Sequence, residues 1–335
     1  MTQGILLVGG KGTRLLPLTR DVPKPMLPVA GLPVTEHQLM AAKAAGVTSI
    51  VLAASYLSEV FIPYFGDGSK WGMRLQYAVE SEPLGTGGAI RNAAKLLNGS
   101  ESIAIFNGDV LSSHNLSAQI ALHNDRDADV TLHLTKVSDA RAFGCVPMDE
   151  GDRVTAFLEK MEKPVTDTIN AGCYIFHPRV LSEIPLDAIV SVERDTFPKL
   201  VEAGRRIFGF VDNSYWLDIG TPLNLLQGSR DLVRNTFIAP ALDRLKLERH
   251  AGQYLAMEGA QIAAGALLED GCAIGRGAQI SKEVHLKSSI ISDGAMVLEG
   301  ASLDRCFVAA AATVPKAAIY ADSYIGKDEV VSLIA

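Results

Sequence analysis

Up to about Arg234 the chain alternates short apolar runs with amphipathic stretches. Gln3–Val8, Thr48–Ala54, Arg74–Val79 and Ile103–Asn107 are rich in Val, Ile and Leu and end at Gly or polar residues, which predicts strands. Between them, Thr35–Ala45 carries helical spacing, with a Thr35/Gln38 capping box at its start and Gly46 beyond its end. A second helix is predicted over Gly88–Leu97. Alternating strands and helices imply a mostly parallel sheet covered on both faces. From about Asp129 to His177 the helices give way to consecutive strands, which predicts an antiparallel section inserted into that sheet.

Past Gly252 the period changes. Ile262, Leu268, Ile274, Ile280 and Leu286 recur every six residues, and Ile291, Val297 and Leu303 keep that period after one five-residue step. Gly265, Gly271, Gly277, Gly294 and Gly300 follow three residues behind such positions, and Ala266, Cys272, Ala278, Ala295 and Ala301 four behind. A helix repeats every 3.6 residues and a strand every 2, so neither accounts for the pattern. Six-residue repeats with glycine at fixed phase predict a parallel β-helix whose coils stack one apolar residue per side.

The two patterns divide the 335 residues into an expected α/β domain over 1–235 and a hexapeptide-repeat domain over 250–330. A hydrophobic share of 48% with 21% charged residues fits a globular protein. The net charge of -7 argues against a broad nucleic-acid surface and leaves room for a local basic pocket that holds phosphates. Cys145, Cys173, Cys272 and Cys306 form no C-x-x-C pair, as expected for buried thiols in a reducing compartment. The chain opens on a short apolar strand without the features of a signal peptide, and no window approaches the roughly 20 apolar residues of a membrane span. A cytoplasmic location without membrane contact is the expectation.

The strand Ile5–Val8 runs into Gly9-Gly10-Lys11-Gly12-Thr13-Arg14-Leu15, at the kind of strand-to-loop junction where open α/β sheets bind ligands. Two phosphate motifs fail here. A P-loop starting at Gly4 and Gly9 would need Lys where Gly10 stands, and a dinucleotide fingerprint starting at Gly10 would need glycine where Leu15 stands. What remains is a glycine-rich turn whose N–H groups can approach an anion, followed by Arg14 and by Lys24 between two prolines.

The run Leu7-Val8-Gly9-Gly10-Lys11-Gly12-Thr13-Arg14-Leu15-Leu16-Pro17-Leu18-Thr19, continuing to Pro23-Lys24-Pro25, resembles the signature of the sugar-phosphate nucleotidyltransferases. Further matches follow in order: Glu82-Pro83-Leu84-Gly85-Thr86, Asn107-Gly108-Asp109, Phe157-Leu158-Glu159-Lys160, Ile169-Asn170-Ala171-Gly172 and Trp216-Leu217-Asp218-Ile219-Gly220. The chain is most similar to the guanylyltransferases of mannose 1-phosphate, two-domain members of that family. The resemblance covers nearly the whole chain. It implies a Rossmann-like nucleotidyltransferase domain with a mixed, mostly parallel sheet, followed by a left-handed parallel β-helix. Where the family usually has Arg, this chain has Leu16.

The reaction so implied has a sugar-phosphate oxygen attack the α-phosphorus of an NTP, releasing pyrophosphate. A phosphomonoester is already largely dianionic at neutral pH, so no Ser/His/Asp constellation is required. The work is to bring anions together and to neutralise the charge that shifts to the leaving group. The resemblance assigns Mg2+ to Asp109 and Asp218, and the triphosphate to Arg14 and Lys24. Gly9, Gly10, Gly12, Thr13, Gly85 and Thr86 would line the nucleotide. Gly144, Glu159, Asn170 and Gly172 would meet the sugar, with Lys160 on its phosphate. Glu162-Lys163-Pro164 also offers the family's Glu-Lys-Pro pattern, so Lys163 is an alternative for that role.

Base choice can be argued from chemistry. Relatives that use UTP or dTTP typically carry Gln at the position matching Glu80, and an amide complements a base with one donor beside acceptors. An ionised carboxylate only accepts, and guanine presents N1–H and N2–H2 side by side. GTP is therefore the expected nucleotide, with cytosine and its single amino donor a remaining alternative, and the resemblance implies mannose 1-phosphate as the partner. The alternatives are glucose 1-phosphate with another NTP, and a non-catalytic regulatory subunit that binds nucleotide sugars. The β-helix is expected to be structural and to carry a homo-oligomer contact.

Overall fold

The computed structural model describes residues 2–334 except 11, 21, 55–57, 100, 246 and 251, together with all side chains but those of 58 and 248–250. Lys11 of the glycine-rich loop thus lies outside the described residues. Contacts group the chain into two units, one of residues 1–10 with 42–216 and one of residues 11–41 with 217–335.

The first unit is built on a nine-stranded sheet. Its main path runs Leu158–Glu159, Gly144–Cys145, Thr168–Phe176, Ile103–Asn107, Gln3–Leu7, Ser49–Ala54, Arg74–Val79. The last four of these are mutually parallel. Thr168–Phe176 joins antiparallel to Ile103–Asn107 and also pairs antiparallel with Val130–Lys136, which in turn carries Ile207–Val211 in parallel. The expected mixed sheet with an antiparallel section is what forms. Ile50 to Ala54 and Ile103 to Phe106 are buried at every position, because helices cover both faces of the parallel centre. Ile90 and Ala93 of one such helix join a core with Tyr174, Phe176 and Phe197.

Two helix expectations need correction. The first helix spans Val34–Ala44, so Thr35 lies inside it, and its hydroxyl donates to the Pro25 carbonyl at 2.9 Å instead of capping. Its end falls where expected, just before Gly46 at φ 85°. The second helix begins three residues early, spanning Gly85–Ala93. Low glycine propensity hides that first turn in the sequence, and packing overrides it. A side chain at Gly88 would lie 2.6 Å from the Ala188 carbonyl, so only glycine lets the helix seat against that segment.

The second unit gathers the segment after the glycine loop, the helix Pro222–Val233 and a parallel β-helix. Three faces make up the β-helix. Ile274, Ile291, Val308 and Ile325 stack in register on one, Ile262, Ile280, Val297 and Val314 on the next, and Leu268, Leu286, Leu303 and Tyr320 on the third. Eight of these are the residues of the six-residue repeat, Val308, Val314, Tyr320 and Ile325 continue it beyond the positions read from the sequence, and all pack into one apolar core. The phased glycines sit at coil corners with positive φ, from 63° at Gly277 to 89° at Gly265, a region that glycine enters without strain. Within this unit the first coils pack on their neighbours. Gly271 leaves room for Arg230 of the helix, Gly31 leaves room for the Met257 side chain, and Arg234 pairs with Asp270. The Ala30 N–H donates to Ser229 Oγ at 3.0 Å.

Three buried histidines in the first unit tie stability to pH. His114 and His133 stack with ring centroids 3.9 Å apart, and His123 lies 3.0 Å from Thr131 Oγ1. Burial pushes His114 and His123 down to about 4, and burial together with the neighbouring His114 pushes His133 down to about 3. All three are neutral when folded, whereas the unfolded chain takes up protons near 6.5. Folding stability is therefore fully present above 6.5 and falls as pH drops below it. Thermal melts from about pH 7 to about pH 4.5 should show a declining Tm. His133→Phe, which keeps a flat ring against His114, should decline less steeply; parallel curves for the two proteins would refute this coupling.

Candidate active site

In the first unit, candidate residues stand at the carboxyl ends of adjacent parallel strands. Gly9 and Gly10 follow Gln3–Leu7, Glu80 follows Arg74–Val79, and Gly108-Asp109 follows Ile103–Asn107. The ladder continues past the strand ends: Val8 N–H donates to Ala53, Glu80 N–H to Ala54 and Gly108 N–H to Leu7, all at 2.9 to 3.0 Å. The chain turns from Gln3–Leu7 towards Ser49–Ala54 on one side and later returns to place Ile103–Asn107 on the other. That reversal is the switch point at which open α/β sheets leave a crevice for ligands. A Cβ at Gly108 would collide with the Leu7 carbonyl, so the turn that carries Asp109 needs its glycine.

The expected nucleotide residues in this unit split into an open and a fixed group. Gly10 takes φ 109° with nothing within 4 Å of where a Cβ would stand, which leaves its backbone open to approach. Glu80 is fixed by the Leu84 N–H, which donates to Oε2 at 3.3 Å. Its other oxygen, Oε1, is buried without a hydrogen-bond partner among the described residues. Burial raises the Glu80 carboxyl above its ordinary value, against the opposing pull of that Leu84 bond. Gly85 at φ 72° leaves room for the Val190 carbonyl, and the Thr86 hydroxyl donates to Glu193 Oε2 at 2.7 Å.

The sugar-side residues also come together within this unit. Glu159 pairs with Gly144 across two short strands, and a Cβ at Gly144 would lie 2.9 Å from Glu159 Oε2. Lys160 follows with φ 48°, its N–H donating to Phe143 at 3.2 Å and its side chain exposed. Lys163 is exposed as well. Asn170 and Gly172 occupy the irregularity where Thr168–Phe176 slips against Val130–Lys136, between Asn170 and Tyr174. Bulges of this kind re-aim side chains at sites. Gly172, at φ 78°, would meet Asn107 Nδ2 at 3.0 Å with any larger residue. The Trp216 indole N–H donates to the Ala171 carbonyl at 2.9 Å, at the same bulge.

The second unit carries the remaining candidates. Gly12, at φ 58°, would contact Lys24 Cβ and Thr19 Cγ2 at 3.1 Å each if it bore a side chain, and the Thr19 hydroxyl donates to the Gly12 carbonyl at 2.9 Å. Lys24 is thereby held against the glycine turn, half-buried, while Thr13 and Arg14 are exposed. Leu16 is exposed too. Asp218 and Arg14 share the space over Gly220, where a Cβ would lie 3.0 and 3.2 Å from the two Asp218 oxygens and 3.2 Å from Arg14 Nη2. Asn224 Nδ2 donates to the Asp218 carbonyl at 2.7 Å from a helix whose first turn is capped by Thr221.

Among the described residues, no three His, Cys, Asp or Glu side chains gather as a ready-made metal cage.

Sequence reading missed Tyr174 and Glu193. Asn107 lay within a recognised motif without a role. Neither Tyr174 nor Val192-Glu193-Arg194-Asp195 carries a motif that signals a site.

Residues 3–235 match the nucleotidyl transferase family. The chain is 50% identical over 303 residues to a mannose-1-phosphate guanylyltransferase of Mycobacterium tuberculosis, covering 90% of this chain and 82% of that one. It is 35% identical to mannose-1-phosphate guanylyltransferase 1 of Arabidopsis thaliana, over 97% of this chain and 86% of that one. Among solved structures, HddC from Yersinia pseudotuberculosis superimposes with a TM-score of 0.60 at 30% identity, over 69% of this chain and 100% of that one. No helix among the described residues is long and apolar enough to cross a membrane. With the family model matched over residues 3–235 and a half-identical relative covering most of both chains, the chain belongs to the nucleotidyl transferase family.

Proposed function

We propose that this chain makes GDP-mannose and pyrophosphate from GTP and mannose 1-phosphate. The 50% identity to a mannose-1-phosphate guanylyltransferase over most of both chains carries this reading. Glu80 adds a chemical reason for GTP: a half-buried carboxylate with one oxygen left without a partner among the described residues suits the paired N–H donors of guanine.

In the proposed reaction an oxygen of mannose 1-phosphate attacks the α-phosphorus of GTP. The bond from that phosphorus to the bridging oxygen breaks, and pyrophosphate leaves with the electron pair. Gly9 and Gly10 bring bare backbone to the phosphates, and Arg14 and Lys24 offset their charge, the first as a planar fork and the second as a point charge. Asp109 and Asp218 would hold Mg2+, which when bound neutralises phosphate charge and aligns the oxygens. Lys160 would grip the phosphate of the sugar. Glu159, Asn170 and the bare backbone at Gly144 and Gly172 would receive the sugar hydroxyls. Pyrophosphate release measured with magnesium, testing each NTP against mannose 1-phosphate and glucose 1-phosphate, decides the reading. The GTP and mannose 1-phosphate pair should be fastest. Another pair would move the substrates, and silence from folded protein would favour a regulatory subunit.

Asp109→Asn and Asp218→Asn should each leave the melting curve in place and lower kcat by about a hundredfold or more, the scale of losing one preorganised electrostatic group. Near-normal turnover in both would overturn the metal assignment.

Glu80→Gln exchanges an acceptor for a mixed amide edge, so the ranking of nucleotides should move from GTP towards UTP or dTTP. An unchanged ranking means that Glu80 does not read the base.

The β-helix is also the proposed homo-oligomer surface. One outward column runs Leu267, His285, Ser302, Ile319, and its end members are 54% and 80% exposed. Replacing Leu267 and Ile319 together by Asp should shift the sedimentation of the full chain towards monomer. A wild-type chain that sediments as a monomer removes the proposal.

A further inference from the structure

Tyr174 is wholly buried, yet its hydroxyl sits at the centre of a polar network. It receives Asn170 Nδ2 at 2.9 Å and Asn107 Nδ2 at 3.5 Å, and it donates to Glu193 Oε1 at 3.2 Å. Glu193 in turn accepts from the Thr86 hydroxyl at 2.7 Å and from the Ser191 hydroxyl at 3.0 Å, both at Oε2. The Thr86 oxygen accepts the Val192 N–H at 2.9 Å. A phenol has one proton and a carboxylate none, so the directions are forced: Tyr174 must give its proton to Glu193 and accept from both amides. Burial and the nearby Glu193 push the phenol well above its ordinary value, which keeps that proton in place. The Asn170 amide is oriented as a result, with Nδ2 towards Tyr174 and Oδ1 accepting the Gly172 N–H at 3.1 Å. Glu193 lies in a wide π-type turn, Val192–Thr196, a rare conformation that occurs frequently at functional sites.

We propose that Glu193 and Tyr174 are positioning residues which join the sugar side of the site to its nucleotide side, Tyr174 by orienting Asn170 and Glu193 by holding Thr86. This rests on the assignment of Asn170 to the sugar and of Thr86 to the nucleotide under the proposed function. The Asn170 amide keeps one N–H and one lone pair beyond those bonds, and these are what a sugar hydroxyl would meet. Without the phenol, the Gly172 N–H is the one remaining described bond that orients the amide, and the end that faces the sugar is held less firmly. The carboxylate has to accept at both oxygens at once, a demand that Gln cannot meet.

The test uses the full chain and steady-state kinetics with GTP and mannose 1-phosphate. Tyr174→Phe keeps the ring packed against Phe197 and should raise KM for mannose 1-phosphate by about tenfold, the scale of one buried hydrogen bond, with KM for GTP within about twofold. Thr86→Val should do the reverse, and Glu193→Gln should raise both. A merely structural role would raise both KM values together in Tyr174→Phe, or move only Tm, and either result overturns the proposal, as does an unchanged KM for the sugar phosphate. Should Glu193→Gln fail to fold, the opposite splits of the other two variants still decide it. A wild-type chain that releases no pyrophosphate from this pair fails the proposed function instead, which keeps the two failures distinct.

Discussion

The parallel pairing of Gln3–Leu7 with Ile103–Asn107 on one side and Ser49–Ala54 on the other is the constraint from which the first unit follows. Parallel strands share one carboxyl edge, so the loops after them emerge together whatever their separation in sequence. Gly9 and Asp109 are 100 residues apart in number and yet leave neighbouring strands at the same end. The ladder that continues through Val8, Gly108 and Glu80 carries this order into the loops themselves. Catalysis by electrostatic preorganisation needs such a frame, because charges held on a rigid edge need not reorganise when the reaction shifts charge.

Bare backbone is the second recurring device. Gly108, Gly144, Gly172 and Gly220 each stand where a Cβ would strike a carbonyl, a carboxylate, an amide or a guanidinium. Every one of these glycines lies beside a candidate ligand-holding side chain: Asp109, Glu159, Asn170 and Asp218. The missing side chain lets the chain close tightly at each of these positions. The helix Gly85–Ala93 uses the same device at its first turn, where Gly85 and Gly88 admit the 188–190 segment that leads to Glu193.

In the second unit, six-residue periodicity translates directly into three apolar columns, since each coil of the β-helix turns three corners and sends one side chain inward per face. Corner positions without glycine take the same left-handed conformation, at Glu283, Ala311 and Ala317, with φ from 52° to 59°. Ladder pairing and core burial on both sides of each corner over-determine that backbone. The first coils do more than cap the repeat. Met257 against Gly31, and Asp270 with Arg234, join the β-helix to the segments that carry Lys24 and Asp218.

Sequence alone determined the features that repeat or follow order: strand positions at Arg74–Val79 and Ile103–Asn107, the β-helix, and the succession of motifs naming Arg14, Lys24, Asp109 and Asp218. These are legible because periodicity and local turn chemistry act between near neighbours. The start of the helix at Gly85 was not legible, because contact with Ala188 outweighs glycine's poor propensity. Thr35 read as a cap, yet it serves the Pro25 carbonyl instead. Glu193 and Tyr174 were invisible for the same reason. Their roles come from hydrogen bonds to Thr86 and Asn170, and Thr86 lies 107 positions from Glu193. Only the folded chain decides which polar groups share a buried volume, and burial is what turns an ordinary glutamate and tyrosine into a fixed, directional network.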